Sequence, residues 1–223
     1  SHRGHKRLIM KAVLFDLDGT LIDSAPQLVG ALNQLRKKYH LEAIPFSKGR
    51  PFASHGAAGL LKAGFNMDKS DPLFVKRIEE FLDIYKEIFN QDVECMEGVE
   101  DLIQALNLKK IAWGIVTNKA SKFATPIVNN HPLLKFSQCL ITGDDVSHPK
   151  PSPEGLIKAS TMLSKKPSEV IYLGDDRRDV AAANDASMIS IVARYGYLEE
   201  GDDARSWGAQ YTIDKPIDLL NYL

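Results

Sequence analysis

The sequence predicts an α/β fold: a doubly wound, parallel, Rossmann-like sheet with a small α-helical unit inserted after its first strand. Three observations carry this expectation. An apolar run, Val13-Leu14-Phe15, ends abruptly in Asp16-Leu17-Asp18-Gly19-Thr20, as a buried strand does when it empties into a turn. From Asp23 to about Asn90, apolar residues recur at helical spacing with no convincing strand between them. From Gly98 onward, helical stretches alternate with short apolar runs, the pattern of right-handed crossovers in which ligands bind beyond the carboxyl ends of the strands.

Composition sets the frame. A chain of 223 residues with 44% hydrophobic content can bury a sizeable core, as one large domain or a domain with an insert. Its 28 Lys and Arg nearly balance 29 Asp and Glu, so no net field recommends nucleic acid or an acidic membrane as partner, and any anion site is local. Cys95 and Cys139 have no metal-ligand spacing and are too few for a disulfide scaffold; both read as packing residues in a reducing compartment. No apolar run approaches a membrane span and no signal-peptide pattern is present, so the expected location is cytoplasmic. Residues 1–9, basic and His-containing, read as an expression-derived remnant or a disordered lead.

In the first strand, residues i and i+2 of an extended chain point the same way, so Asp16 and Asp18 can face one small space above the sheet. Two like charges there need a cation or a shared proton. Gly19 permits a turn and the close approach of a ligand, and Thr20 offers a hydroxyl to the turn. The helical insert is expected over 23–93, between core segments 10–22 and 94–223. Leu28, Ala31, Leu32 and Leu35 mark one helix; Phe74, Ile78, Phe81, Leu82, Tyr85 and Ile88 mark another. Between them, Pro45 to Gly59 is irregular, with a short helix through Leu60, Leu61 and Ala63 after it.

The alternating part begins with a helix over Val99–Leu106 and a strand over Ile111–Val116, followed by a helix near Ala120–Asn129 and a strand over Gln138–Ile141. Helix Pro153–Leu163 then leads to strand Val170–Leu173, helix Val180–Ala186 to strand Ile189–Ala193, and Tyr211–Ile213 adds an edge strand. Each of three strand ends carries polar residues. Thr117 brings a hydroxyl, and Asn118 an amide with backbone N–H groups at a helix start, which suits a phosphate oxygen; Lys119 reads as solvated. Lys150 sits between two prolines on a stiff backbone that presents it at a fixed point. Asp144 and Asp145 are expected to shape their loop, and His148 to face solvent. Asp175, Asp176 and Asp179 gather several acids at one strand end, where an oxygen-only set selects a hard cation such as Mg2+.

Asp16-Leu-Asp18-Gly-Thr, the Thr117-Asn118 strand end, Lys150-Pro-Ser-Pro-Glu154 and Gly174-Asp175-Asp176 with Asp179 stand in this order and cover about Lys11 to Ala193. Together they resemble the four motifs of the haloacid dehalogenase superfamily of phosphatases. The length of the insert resembles the phosphoglycolate phosphatase branch, whose helical cap closes over the active site. The resemblance implies Asp16 as nucleophile through an aspartyl-phosphate and Asp18 as general acid and base. It implies Thr117, Asn118 and Lys150 on the phosphoryl group, and Mg2+ held by Asp16, Asp175 and the backbone carbonyl of Asp18, with Asp179 behind. Asp176 stands where the family often has Ser or Thr. The chain is then a phosphoric monoester hydrolase acting on a small phosphorylated metabolite, as monomer or homodimer.

Substrate choice falls to the insert. Arg50, Ser54 and His55, within Arg50-Pro-Phe-Ala-Ser54-His55-Gly56, are the candidates for reading the leaving group. That stretch also resembles a subgroup that includes N-acetylmuramic acid 6-phosphate phosphatases, which keeps that sugar phosphate beside 2-phosphoglycolate. A phosphomutase shares the motifs. A non-catalytic regulator does not need Asp16, Asp18, Lys150 and Asp175 intact.

Overall fold

Six strands form one parallel sheet in the computed structural model, which describes residues 9–223. The lead expected over residues 1–9 lies outside the described residues except for Ile9, whose side chain is exposed. The strands are β1 (Ala12–Phe15), β4 (Ala112–Val116), β5 (Leu140–Ile141), β6 (Val170–Gly174), β7 (Ile189–Ala193) and β8 (Tyr211–Ile213), in the order β5-β4-β1-β6-β7-β8. From β1 the chain moves out to β4 and β5, then returns across β1 to β6 and on to β8. The winding therefore reverses at β1, and the crevice at its carboxyl end is where such sheets bind ligands.

Alternation along β1 sorts its side chains between two cores. Val13 and Phe15 join the apolar cluster that holds α5 (Val99–Leu108) and α6 (Ser121–Asn130), whereas Ala12 and Leu14 join the cluster of α7 (Glu154–Met162) and α8 (Arg177–Asp185). A strand covered on both faces must be apolar throughout, which is why β1 reads as an unbroken run. Phe15 packs edge-on against Trp113 of β4 at 6.1 Å between ring centroids.

The helical insert consists of α1 (Ala25–Lys38), α2 (Phe46–Gly49), a 3-10 turn over Arg50–His55, α3 (Gly56–Phe65) and α4 (Phe74–Ile88). Leu28, Leu32 and Leu35 of α1, Leu60 and Leu61 of α3, and Phe81 and Tyr85 of α4 are buried, in one cluster with the Val13 face of the sheet. The Tyr85 ring lies 4.9 Å from that of Phe123 on α6, so the C-terminal half of α4 rests on the sheet-covering helices. Two elements depart from the sequence reading. Pro45 to Gly59, read as irregular, holds α2, the 3-10 turn and the first turn of α3, its glycines and prolines masking helical turns too short to show a period. The two chain crossings into and out of the insert pair as a short antiparallel ribbon, β2 (Ile22–Asp23) with β3 (Glu94–Cys95). Two-residue strands are too short to show a period, so hydrophobic patterning does not register them.

Candidate active site

Beyond β1 the backbone folds back at once: Leu21 and Ile22 both donate to the Leu17 carbonyl, at 2.9 and 3.0 Å. Gly19 takes φ +81°, and any Cβ there would collide with the Asp175 carboxylate, so both the turn and the close packing require glycine. The turn leaves Asp16 and Asp18 lining one cavity of about 620 Å3. Asp16 is held by the Leu17 N–H, which donates to its Oδ1 at 2.8 Å.

Lys150 enters from the loop after β5 and is buried. Its Nζ, with three N–H groups to give, lies 3.0 Å from Asp16 Oδ1, 2.7 Å from Asp179 Oδ1, 2.6 Å from the Tyr172 hydroxyl and 3.1 Å from the Val116 carbonyl, which also accepts the Tyr172 O–H at 2.7 Å. The loop holds it there through Asn118, whose amide donates to the Lys150 carbonyl and accepts from the Lys150 N–H, each at 2.9 Å. Asn118 is therefore committed to placing Lys150. Thr117 is buried at the cavity wall, and its Oγ1 accepts the Lys119 N–H at 3.0 Å. In the loop between, Thr142 is the N-cap of a short turn and donates its N–H and hydroxyl to Asp145 Oδ2, at 2.8 and 2.9 Å, Asp144 accepts the Ser121 N–H at 2.7 Å, and His148 faces solvent.

Carboxylate oxygens of Asp16, Asp175 and Asp179, all buried, lie within 4.8 Å of one another. Burial first, and then the neighbouring Asp179, raise the Asp16 carboxyl well above its ordinary range, although Lys150 pulls the other way. Asp175 is pushed up to about 6 by burial and by Asp179. Burial would lower the Lys150 ammonium, but Asp16 and Asp179 outweigh it and raise the group, which stays charged. One ammonium cannot neutralise three carboxylates. The surplus negative charge and all-oxygen donor set fit a hard divalent cation. Asp175 and Asp179 thus hold the acidic corner; Asp179 Oδ2 also accepts the N–H groups of Asp175 and Asp176, each at 3.1 Å.

The linkage has a definite sign. Between the ordinary carboxyl value of 3.8 and about 6, the folded state holds the Asp175 proton that the unfolded chain has released, so stability falls as pH rises through that window. The raised Asp16 carboxyl acts in the same direction. Added Mg2+ is expected to raise the melting temperature more at about pH 7.5 than at about pH 5. A metal response equal at both pH values, measured by thermal denaturation, would contradict the cation reading of this corner.

Asp176 is the N-cap of α8: its Oδ1 accepts the Arg178 N–H at 2.9 Å. Burial alone would raise its carboxyl, but bonds from His55 and Arg178 outweigh it and hold the group below the usual range. His55 Nε2 stands 2.8 Å from Asp176 Oδ2, Ser54 Oγ donates to Asp175 Oδ2 at 2.6 Å, and Arg178 donates to the Ser54 carbonyl at 3.0 Å. Ser54 and His55 also line the cavity. Arg50 does not. Its guanidinium donates to the Gly196 carbonyl at 3.3 Å and lies 4.9 Å from the Tyr197 ring, so it fastens the insert to the loop after β7.

Lys119 corrects the sequence reading outright. Its side chain is only 8% exposed, with Nζ 2.9 Å from Asp18 Oδ1 and 2.6 Å from the Tyr85 hydroxyl. The cysteines end as packing residues. Cys139 is buried, and burial pushes the Cys95 thiol up to about 12. Cys95 does sit in a trio with Glu100 and His131. Nδ1 of His131 accepts the N–H groups of Leu133 and Leu134, at 3.1 and 3.2 Å, which leaves the ring proton on the Nε2 that faces Cys95 and disfavours metal binding there.

Residues 13–193 match the family model described as haloacid dehalogenase-like hydrolase. The N-acetylmuramic acid 6-phosphate phosphatase of Pseudomonas aeruginosa is 35% identical over 218 residues, 98% of this chain and 96% of that protein. The phosphoglycolate phosphatase of Xanthomonas campestris pv. campestris is 35% identical over 213 residues, with 94% of each chain covered. Among solved structures, a predicted phosphoglycolate phosphatase from Haemophilus somnus 129PT superposes with a TM-score of 0.81 at 22% identity, covering 95% of this chain and 96% of that one.

Proposed function

The chain belongs to the haloacid dehalogenase-like hydrolases, and from that premise we propose that it is a phosphoric monoester hydrolase acting on a small phosphorylated metabolite. One observation carries the reading: Asp16, Thr117 and Lys150, from three different strand ends, line one cavity at the switch point of the sheet, with Asp175 and Asp179 against Asp16.

In this reading Asp16 attacks phosphorus as the P–O ester bond breaks, giving an aspartyl-phosphate, and Asp18 protonates the departing oxygen. Asp18 then takes a proton from the water that attacks phosphorus, which frees phosphate and the Asp16 carboxylate. Lys150 and the Thr117 hydroxyl offset and orient the phosphoryl oxygens, where most catalysis of phosphoryl transfer resides. Mg2+ held by Asp16, Asp175 and the Asp18 carbonyl, when bound, supplies further positive charge at those oxygens. Asp179 and Asn118 place Lys150. Asp175→Ala is expected to abolish the Mg2+-dependent rise in melting temperature, and Asp176→Ala to retain most of it. Equal losses in a metal titration would mean that the acidic corner is misassigned.

Residues 23–93 serve as the cap and 10–22 with 94–223 as the catalytic core. The main reading of the substrate is a phosphoglycolate-like acid, as in the relatives of that name. A second reading, a sugar phosphate such as N-acetylmuramic acid 6-phosphate, is favoured by the cavity itself. Its volume of about 620 Å3 and its apolar wall of Leu28, Phe81, Tyr85 and Phe123 exceed what glycolate fills. His55 and Ser54 are the proposed specificity residues, with Arg50 holding their loop. Phosphate release measured on 2-phosphoglycolate, N-acetylmuramic acid 6-phosphate, hexose phosphates, β-glucose 1-phosphate and nucleoside monophosphates tests the reading. It expects one preferred monoester, and no release from any would overturn it. Among the described residues no helix is long and apolar enough to cross a membrane, and a cytoplasmic monomer or homodimer is part of the same proposal.

A further inference from the structure

The ammonium of Lys119 joins two parts of the molecule that are far apart in sequence. Taking it out of water costs several kcal/mol unless it is paired, and its partners are a carboxylate of the core and a phenol of the insert. Nζ donates to Asp18 Oδ1 at 2.9 Å and to the Tyr85 hydroxyl at 2.6 Å. Tyr85 is anchored by its ring, stacked on Phe81 at 6.0 Å and packed on Phe123 at 4.9 Å, so its hydroxyl is fixed by α4. On the other side, Ser24 at the start of α1 donates to the same Asp18 Oδ1 at 2.5 Å. Both donors hold Oδ1. Oδ2 of Asp18 has no hydrogen-bond partner among the described residues, and Asp18 lines the cavity.

We propose that Lys119 is a positioning residue: it pins Oδ1 of Asp18 and ties it through Tyr85 to α4, leaving Oδ2 to exchange a proton with the leaving group while α4 is seated on α6. The assignment rests on the phosphatase reading above. It gives the insert a part in the chemistry besides substrate recognition, because a displaced α4 removes one of the two partners that hold Lys119.

The test separates leaving groups. A p-nitrophenolate departs without a proton, whereas an alkoxide needs one, so kcat/KM for the two esters reports a misplaced Asp18 differently. Lys119→Met is expected to lower kcat/KM for the best alkyl monoester, among 2-phosphoglycolate, N-acetylmuramic acid 6-phosphate and hexose phosphates, by about 10²-fold, and for p-nitrophenyl phosphate by at least about tenfold less. The second displacement still needs Asp18, so the variant should also show a burst of p-nitrophenolate that the wild type lacks. Tyr85→Phe, which removes only the hydroxyl and keeps the ring packing, should shift the ratio of the two constants in the same direction by a smaller factor. Lys119→Arg should restore part of it. Equal losses on both esters would overturn the assignment in favour of a simple charge effect on the phosphoryl group. An unchanged ratio in a folded Tyr85→Phe protein would remove the link to α4, even where Lys119→Met fails to fold. Wild-type protein that releases phosphate from neither ester would instead overturn the phosphatase reading on which this one stands.

Discussion

Asp16→Asn is expected to lower turnover by about 10⁴-fold or more while the protein stays folded. The amide has nearly the carboxylate's size but no charge and little nucleophilicity, so the first displacement has no attacking group. Stability should hold or rise. In the metal-free protein Asp16 shares a buried corner with Asp175 and Asp179, and burial with those neighbours drives its carboxyl far above the usual range. A neutral amide relieves that repulsion, and Lys150 keeps Asp179 as its ion partner at 2.7 Å. Phosphate release and a melting curve on the same sample give both numbers. Retained hydrolysis by a clean sample would remove Asp16 from the mechanism.

The second large effect is on the fold as well as the chemistry. Lys150→Met removes the ammonium that neutralises Asp16 and Asp179 and that meets the Tyr172 hydroxyl and the Val116 carbonyl. Removing one partner of a buried ion pair leaves an uncompensated charge, which costs about 3–5 kcal/mol. The variant should therefore unfold at a distinctly lower denaturant concentration and lose phosphatase activity. Pairing it with Asp179→Asn should recover part of the stability and none of the activity, since the activity needs the cation at the phosphoryl group. A single variant within about 1 kcal/mol of wild type would show that the Lys150 ammonium is not what neutralises this buried corner.

How far the site was legible follows from how local each signal is. Asp16, Asp18 and Asp175 stand at or just past the ends of apolar runs, so strand patterning brings them to one edge of a parallel sheet, and Lys150 is marked instead by the prolines that flank it in the loop after β5. The sheet order could not be read residue by residue, but the alternation of helices and strands allowed little else. Lys119 reads as solvated because nothing near it in sequence announces its partners, which are Asp18 and a tyrosine on α4. Arg50 failed in the opposite direction. An arginine in an irregular, glycine-rich loop looks free to hold an anion, and only the fold brings up the Gly196 carbonyl and the Tyr197 ring that occupy it. Asn118 looks like a phosphate ligand in its motif, yet its amide is committed to the backbone of Lys150 across the loop. In each case the residue's type was right for a polar site, and its role was decided by a contact distant in sequence.

In the proposed phosphatase reading, hydrolysis proceeds by two displacements with Asp16 as the intervening nucleophile. Each in-line displacement inverts phosphorus, so two of them restore its configuration. The direct test is the stereochemistry of the phosphoryl group when an isotopically chiral phosphate monoester is turned over and the phosphoryl group is recovered on an alcohol acceptor. Passage through Asp16 gives net retention at phosphorus. Net inversion would mean a single direct attack and would contradict the assignment of Asp16 as the group that carries the phosphoryl between substrate and acceptor.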